Sequence, residues 1–139
     1  MDDINTFIGK LRNTSVMHDE LKKIFKGFQD NIKHISKADA YKIEEIHFQC
    51  DDENCHFSFI NREYQLVFSS SKDDKNELKG EIVFYRVKSN ELKKIDKVAF
   101  NSMGFTKEHH DYLDRDGLNL TEVSHCINLF LYWLHKEIY

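Results

Sequence analysis

Cysteine and histidine are the residue types in this chain best suited to chemistry, and they fall into two groups. Cys50, Cys55 and His56 stand together, and His109, His110, His125 and Cys126 follow later. Thiolates and imidazoles are the usual ligands of tetrahedral zinc, so a site can be drawn across the two groups. The spacing opposes it. Structural zinc sites open on a Cys-x2-4-Cys knuckle that wraps the metal, whereas Cys50 and Cys55 flank a polar turn and belong to two alternating apolar runs. They read as small buried hydrophobes facing each other across a hairpin. A cross-strand disulfide fits facing residues. Against it, the acidic start Met1-Asp2-Asp3 and the lack of an apolar signal stretch predict a reducing, cytoplasmic compartment.

The segment His109-His110-Asp111-Tyr112-Leu113-Asp114-Arg115-Asp116-Gly117 mixes imidazoles with carboxylates, the pairing used in general acid-base work. Aligned on the glycine of a calcium loop, it puts Asp114 and Asp116 in register but leaves Tyr112 and Val123 where the first and last oxygen ligands belong. A polar turn before a helix, with Gly117 at positive φ, is the simpler reading. The five glycines are scattered, and nothing resembles a phosphate loop, nucleophile elbow or dinucleotide fingerprint. No residue is assigned a catalytic, cofactor-binding or metal-binding role. A small enzyme using His109, His110 and Asp111 is kept as an alternative.

Charge bears on partners. Arg86, Lys88, Lys93, Lys94 and Lys97 against Glu91 and Asp96 leave a local excess of +3, with Phe84 or Tyr85 available to stack on a base. The whole chain carries −4, which disfavours binding to phosphate backbones. A lysine-rich edge also discourages strand-to-strand aggregation. The acidic residues form two groups, Glu44, Glu45, Asp51, Asp52 and Glu53, then Asp111, Asp114, Asp116 and Glu122. If the two meet in space they make an anionic surface suited to a basic protein partner.

These residues must be positioned by helices at both ends and a sheet between. Ile4, Phe7, Ile8 and Leu11 recur at helical spacing, and after Asn13-Thr14-Ser15 the pattern resumes as Leu21, Ile24, Phe25, Phe28, Ile32 and Ile35. This predicts a short helix and then a longer one. Alternation over 46–50 and 55–59 around Asp51-Asp52-Glu53-Asn54 predicts a hairpin pairing Phe48 with Phe57 and Cys50 with Cys55. A second turn at Asn61-Arg62 would pair Phe57 with Leu66 and Cys55 with Phe68. Residues 69–77 read as a loop, and 81–87 and 92–100 as strands joined at 88–91. In the last strand Ile95 breaks the parity of Leu92, Val98 and Phe100, so a bulge intervenes or both faces are partly covered.

A C-terminal helix starting at Asn119 or Thr121 carries the stripe Leu120, Val123, Ile127, Phe130, Leu131, Leu134 and Ile138. Cys126, Leu129, Tyr132 and Trp133 form a second apolar stripe, wrapped by the rest of the domain or, through Leu129, Tyr132 and Trp133, forming an oligomer interface.

The chain of 139 residues supports one domain, 1–139, with a single core. Its longest apolar run, 127–134 broken by Asn128, is far short of the roughly 18 residues that span a membrane. The absence of proline and the excess of Lys, Asn and Ile match AT-rich coding DNA, as in a low-GC bacterium or its phage. The expected fold is α+β: an antiparallel five-stranded meander with N-terminal helices and a C-terminal helix packed on one face (α-α-β-β-β-β-β-α). The design is similar in type to bacterial toxin-immunity proteins and secretion chaperones, an analogy that carries no residue across. The functional expectation is a non-enzymatic immunity or inhibitor protein that docks onto a basic toxin or effector. A dimeric secretion-chaperone-like protein is an alternative, and nucleic acid, membrane and cofactor are not expected.

Overall fold

The computed structural model describes residues 3–37, 43, 45–106 and 117–139. Helix α1 (Ile4–Ile32) opens where the Asp3 carboxylate accepts the Thr6 amide at 2.9 Å, the usual role of Asp at an N-cap. The two N-terminal helices expected from the sequence are one. Asn13-Thr14-Ser15 does not interrupt α1, because the Thr14 hydroxyl donates to the Lys10 carbonyl one turn back at 2.9 Å. Polar residues there cost a few tenths of a kcal/mol each, too little to break a long helix. A 3₁₀ turn (Lys33–Ser36) ends the segment.

Strands β1 (His47–Cys50), β2 (Asn54–Phe59), β3 (Arg62–Lys72), β4 (Leu78–Lys88) and β5 (Glu91–Phe100) form one antiparallel sheet in chain order. The first hairpin has the expected register, Phe48 opposite Phe57 and Cys50 opposite Cys55. Asp51 closes its turn by accepting the Glu53 and Asn54 amides at 2.9 and 2.8 Å. Cys50 and Cys55 are joined as a disulfide, which corrects the expectation of two reduced core thiols.

The second hairpin also differs. Its turn is Ile60-Asn61, with φ of 48° and 61°, so Phe57 faces Tyr64 and Cys55 faces Leu66. The register is two residues from the expected one, but every side chain keeps its face because the side-chain period is two. A two-residue turn with both φ positive matches the twist of the flanking strands, and Ile60 adopts it despite its branched side chain. Ser89-Asn90 repeats the geometry at 53° and 64°. The loop expected over 69–77 shrinks to residues 73–77, where the Asp73 carboxylate accepts the Lys75 and Glu77 amides. The broken parity of the last strand is a bulge: pairing steps from Phe84 with Asp96 to Tyr85 with Lys94, leaving Ile95 extra.

Helix α2 (Val123–Ile138) starts at Glu122 rather than at Asn119 or Thr121, whose side chains instead shape the preceding turn. Both helices lie on the same sheet face, over Tyr64, Leu66, Ile82, Phe84 and Phe100. Because α2 touches α1 as well as the sheet, both of its stripes are buried, Ile127, Phe130 and Leu134 of the first included. Cys126, Leu129 and Trp133 are fully buried, while Val123 is exposed. Trp133 stacks on Phe84 at 5.6 Å and meets the edge of Phe28 at 6.4 Å. Leu129 and Trp133 therefore belong to the protomer core and are not an oligomer interface; Tyr132 is half-buried beside them. No helix among the described residues is long and apolar enough to cross a membrane.

Candidate functional site

The helices cover one face of the sheet, and the other presents a two-dimensional array fixed by strand register. One row runs His47, Ser58, Glu63, Val87, Leu92 across all five strands, and the next runs Gln49, His56, Gln65, Tyr85, Lys94. These are the alternate positions of strands whose other residues enter the core. The array is graded: imidazoles, amides and a carboxylate on β1 to β3, apolar side chains on β4 and the start of β5, lysine at the far edge.

A shallow cleft of about 620 Å³ lies over this face, lined by His47, Gln49, His56, Ser58, Glu63, Gln65, Val87 and Leu92 among others. A neighbouring depression of about 530 Å³ shares His47, Ser58 and Glu63 and adds Glu45 and the turn Ile60-Asn61-Arg62. Gln65 is held by its amide donating to the Asn54 side chain at 2.9 Å. Two carboxylates, two imidazoles and several amides thus stand on one rigid sheet, able to accept from and donate to a bound chain.

The acidic residues named from the sequence are dispersed. Glu45 precedes β1 and joins the rim of this face, whereas Asp51, Asp52 and Glu53 follow β1, on the far side of a strand about 13 Å long. Asp51 is engaged in its own turn, whose amides hold its carboxyl below the usual range. Glu53 pairs with Lys22 at 3.5 Å, and Glu122 stands at the N-cap position of α2 with its carboxylate 3.4 Å from His125. Glu44, Asp111, Asp114, Asp116, His109 and His110 lie outside the described residues. The ends of that last loop are drawn together: the Thr106 amide donates to the Leu118 carbonyl at 2.9 Å, and its hydroxyl accepts the Leu118 amide at 3.0 Å. Gly117 has the expected positive φ, 85°.

The zinc site drawn across the two groups loses its cysteines. The two cysteines of the first group are bonded to each other on the inner face, and His56 points to the outer one. Cys126 is fully buried, donates to the Leu120 carbonyl at 3.1 Å, and has its thiol pushed up to about 11 by burial. No cluster of three or more His, Cys, Asp or Glu among the described residues is placed to hold a metal ion.

Sequence reasoning missed Glu137. Its side chain is 5% exposed and accepts Arg62 at 3.1 Å, Arg86 at 3.0 Å and the Tyr64 hydroxyl at 2.6 Å. Burial works to raise its pKa, but the Tyr64 and Arg62 hydrogen bonds and the two guanidinium charges outweigh it and hold the carboxyl below the usual range. Burial, then the neighbouring carboxylate, pushes Tyr64 up to about 12. The readable signal was Arg86, which shares the inward parity of Ile82 and Phe84 and so needs a buried anion. The chain matches no protein-family model, and no curated protein or solved structure is significantly similar to it.

Proposed function

We propose that this chain is a non-enzymatic protein-binding module of the immunity or inhibitor type, docking a basic partner such as a bacterial toxin or effector on the uncovered face of its sheet. One observation carries the reading: Glu45 and Glu63 stand at adjoining depressions on a face that no described element covers. A cationic segment laid across β1 to β3 would meet both carboxylates and the amides of Gln49 and Gln65. The apolar side chains of Val87 and Leu92 would desolvate its edge. Occluding a toxin's basic site needs only affinity and fast, charge-steered association, and no reacting group on this chain.

The test is differential capture from the source cell. Immobilised wild-type protein should retain a basic protein that the Glu45→Lys/Glu63→Lys double variant releases, with retention falling as salt rises. Recovery of no partner, or equal recovery by both proteins, would refute this docking face.

A further inference from the structure

The outer half of α1 carries an apolar stripe that stays exposed beside the described elements. Ile4, Phe7, Ile8 and Leu11 share one helical face at i, i+3, i+4 and i+7, yet are 71, 49, 41 and 70% exposed. The first buried residue of the helix is Leu21. At 1.5 Å per residue, about 25 Å of helix precedes it. The arm is anchored where His18 meets Ser70 at 2.6 Å and the Phe68 ring at 5.4 Å.

We propose that this arm pairs with the same arm of a second copy, antiparallel, about a two-fold axis between Phe7 and Ile8. The pattern is self-complementary about that point. In an antiparallel pair, Ile4 lies level with Leu11 of the second copy and Phe7 with its Ile8, and symmetry repeats both contacts. The charges flanking the stripe select this direction. Asp3 and Lys10 are seven residues apart and so lie on one flank, while Arg12 lies on the other. Antiparallel pairing sets Lys10 within one turn of Asp3 of the second copy, twice. Parallel pairing sets Lys10 beside Arg12 of the second copy, like charge against like.

The stripe is a patch on the order of a few hundred Å², about what a monomer surface tolerates and below the roughly 800 Å² per partner of a standard stable interface. The dimer is accordingly a weak, reversible one. It uses α1 and leaves the uncovered sheet face free, so it goes beyond the docking reading and can fail independently of it.

Sedimentation equilibrium from micromolar to millimolar protein tests the pairing. The wild-type mass should rise from 16.6 kDa towards twice that value. Leu11→Asp, at an exposed position and with folding checked by circular dichroism, should stay monomeric throughout. Lys10→Glu should weaken association about tenfold, since two exposed, weakly attractive pairs become repulsive. A wild-type monomer at millimolar concentration, or a dimer that survives Leu11→Asp, overturns the proposal. Strengthening by Lys10→Glu overturns the antiparallel direction, because only a parallel pair would gain a carboxylate opposite Arg12.

Discussion

Glu137 shows how one carboxylate can tie a helix end to a sheet. It reaches from the last turn of α2 to Arg62 and Tyr64 on β3 and to Arg86 on β4, three groups separated from it by 51 to 75 residues. Replacing it with Ala leaves a buried hydroxyl and two part-buried guanidiniums without their anion, so Glu137→Ala should cost about 3 kcal/mol in urea unfolding. Tyr64→Phe removes only the hydroxyl and should cost about 1 kcal/mol.

The pH dependence follows from the lowered Glu137 pKa. The unfolded carboxylate takes up a proton before the folded one does, so its contribution is present above the unfolded pKa of about 4.3 and is lost as pH falls through the folded value. The stability gap between wild type and Glu137→Gln should therefore be constant near neutrality and shrink in acid. A gap that widens in acid would contradict the assignment. The cluster was only half legible: Arg86 has inward parity but sits in a lysine-rich stretch, and Arg62 reads as a turn residue. Nothing local to residue 137 says that its carboxylate is buried.

Among the elements, the first hairpin was the most legible. Its alternation and the Asp51 turn place Cys50 opposite Cys55, and that facing brings the two thiols within reach of a bond. The two cysteines are only 5 residues apart, so the bond closes a short loop. Cys50→Ser/Cys55→Ser should accordingly lower stability by about 2 kcal/mol and leave the fold intact. Thiol-reactive mass labelling before and after reduction checks that the bond is present. The second hairpin was misread by two residues because Ile60 is an unexpected occupant of a positive-φ position. The sequence signal pointed to Asn61 as the first turn residue. In α1 the sequence could not say where burial stops, since 4–11 and 21–32 have the same apolar periodicity. Hydrogen exchange should separate them, with amides before residue 16 exchanging much faster than those of 21–32, whose side chains are locked against the sheet.

For the whole molecule, the decisive packing choice is that α2 lies against both α1 and the sheet. Trp133 sits between Phe84 and Phe28 and donates its ring N–H to Asp96 at 3.1 Å, on the strand that carries the bulge. Trp133→Ala should cost about 3–5 kcal/mol, read in urea, and the wild-type tryptophan should emit at short wavelength until the protein unfolds. An exposed tryptophan spectrum in the folded state would restore the interface reading of Leu129 and Trp133. Among the described residues, two surfaces stay uncovered, the bare sheet face and the α1 arm, one polar and carboxylate-rimmed, the other apolar.

The sequence by itself determined the α+β class, the five-strand meander and, for the first three strands, the face on which each residue lies; the bulge moved Leu92 to the face opposite Val98 and Phe100. Those properties follow from local periodicity: a period of two survives a register error of two residues, and short turns permit only neighbouring strands to pair. Tertiary structure alone decided what covers each of the two stripes of α2, where α1 leaves the domain, and which cations surround Glu137. Each depends on what lies opposite a side chain across dozens of residues of chain, and a periodic pattern states that a face is apolar without stating what covers it.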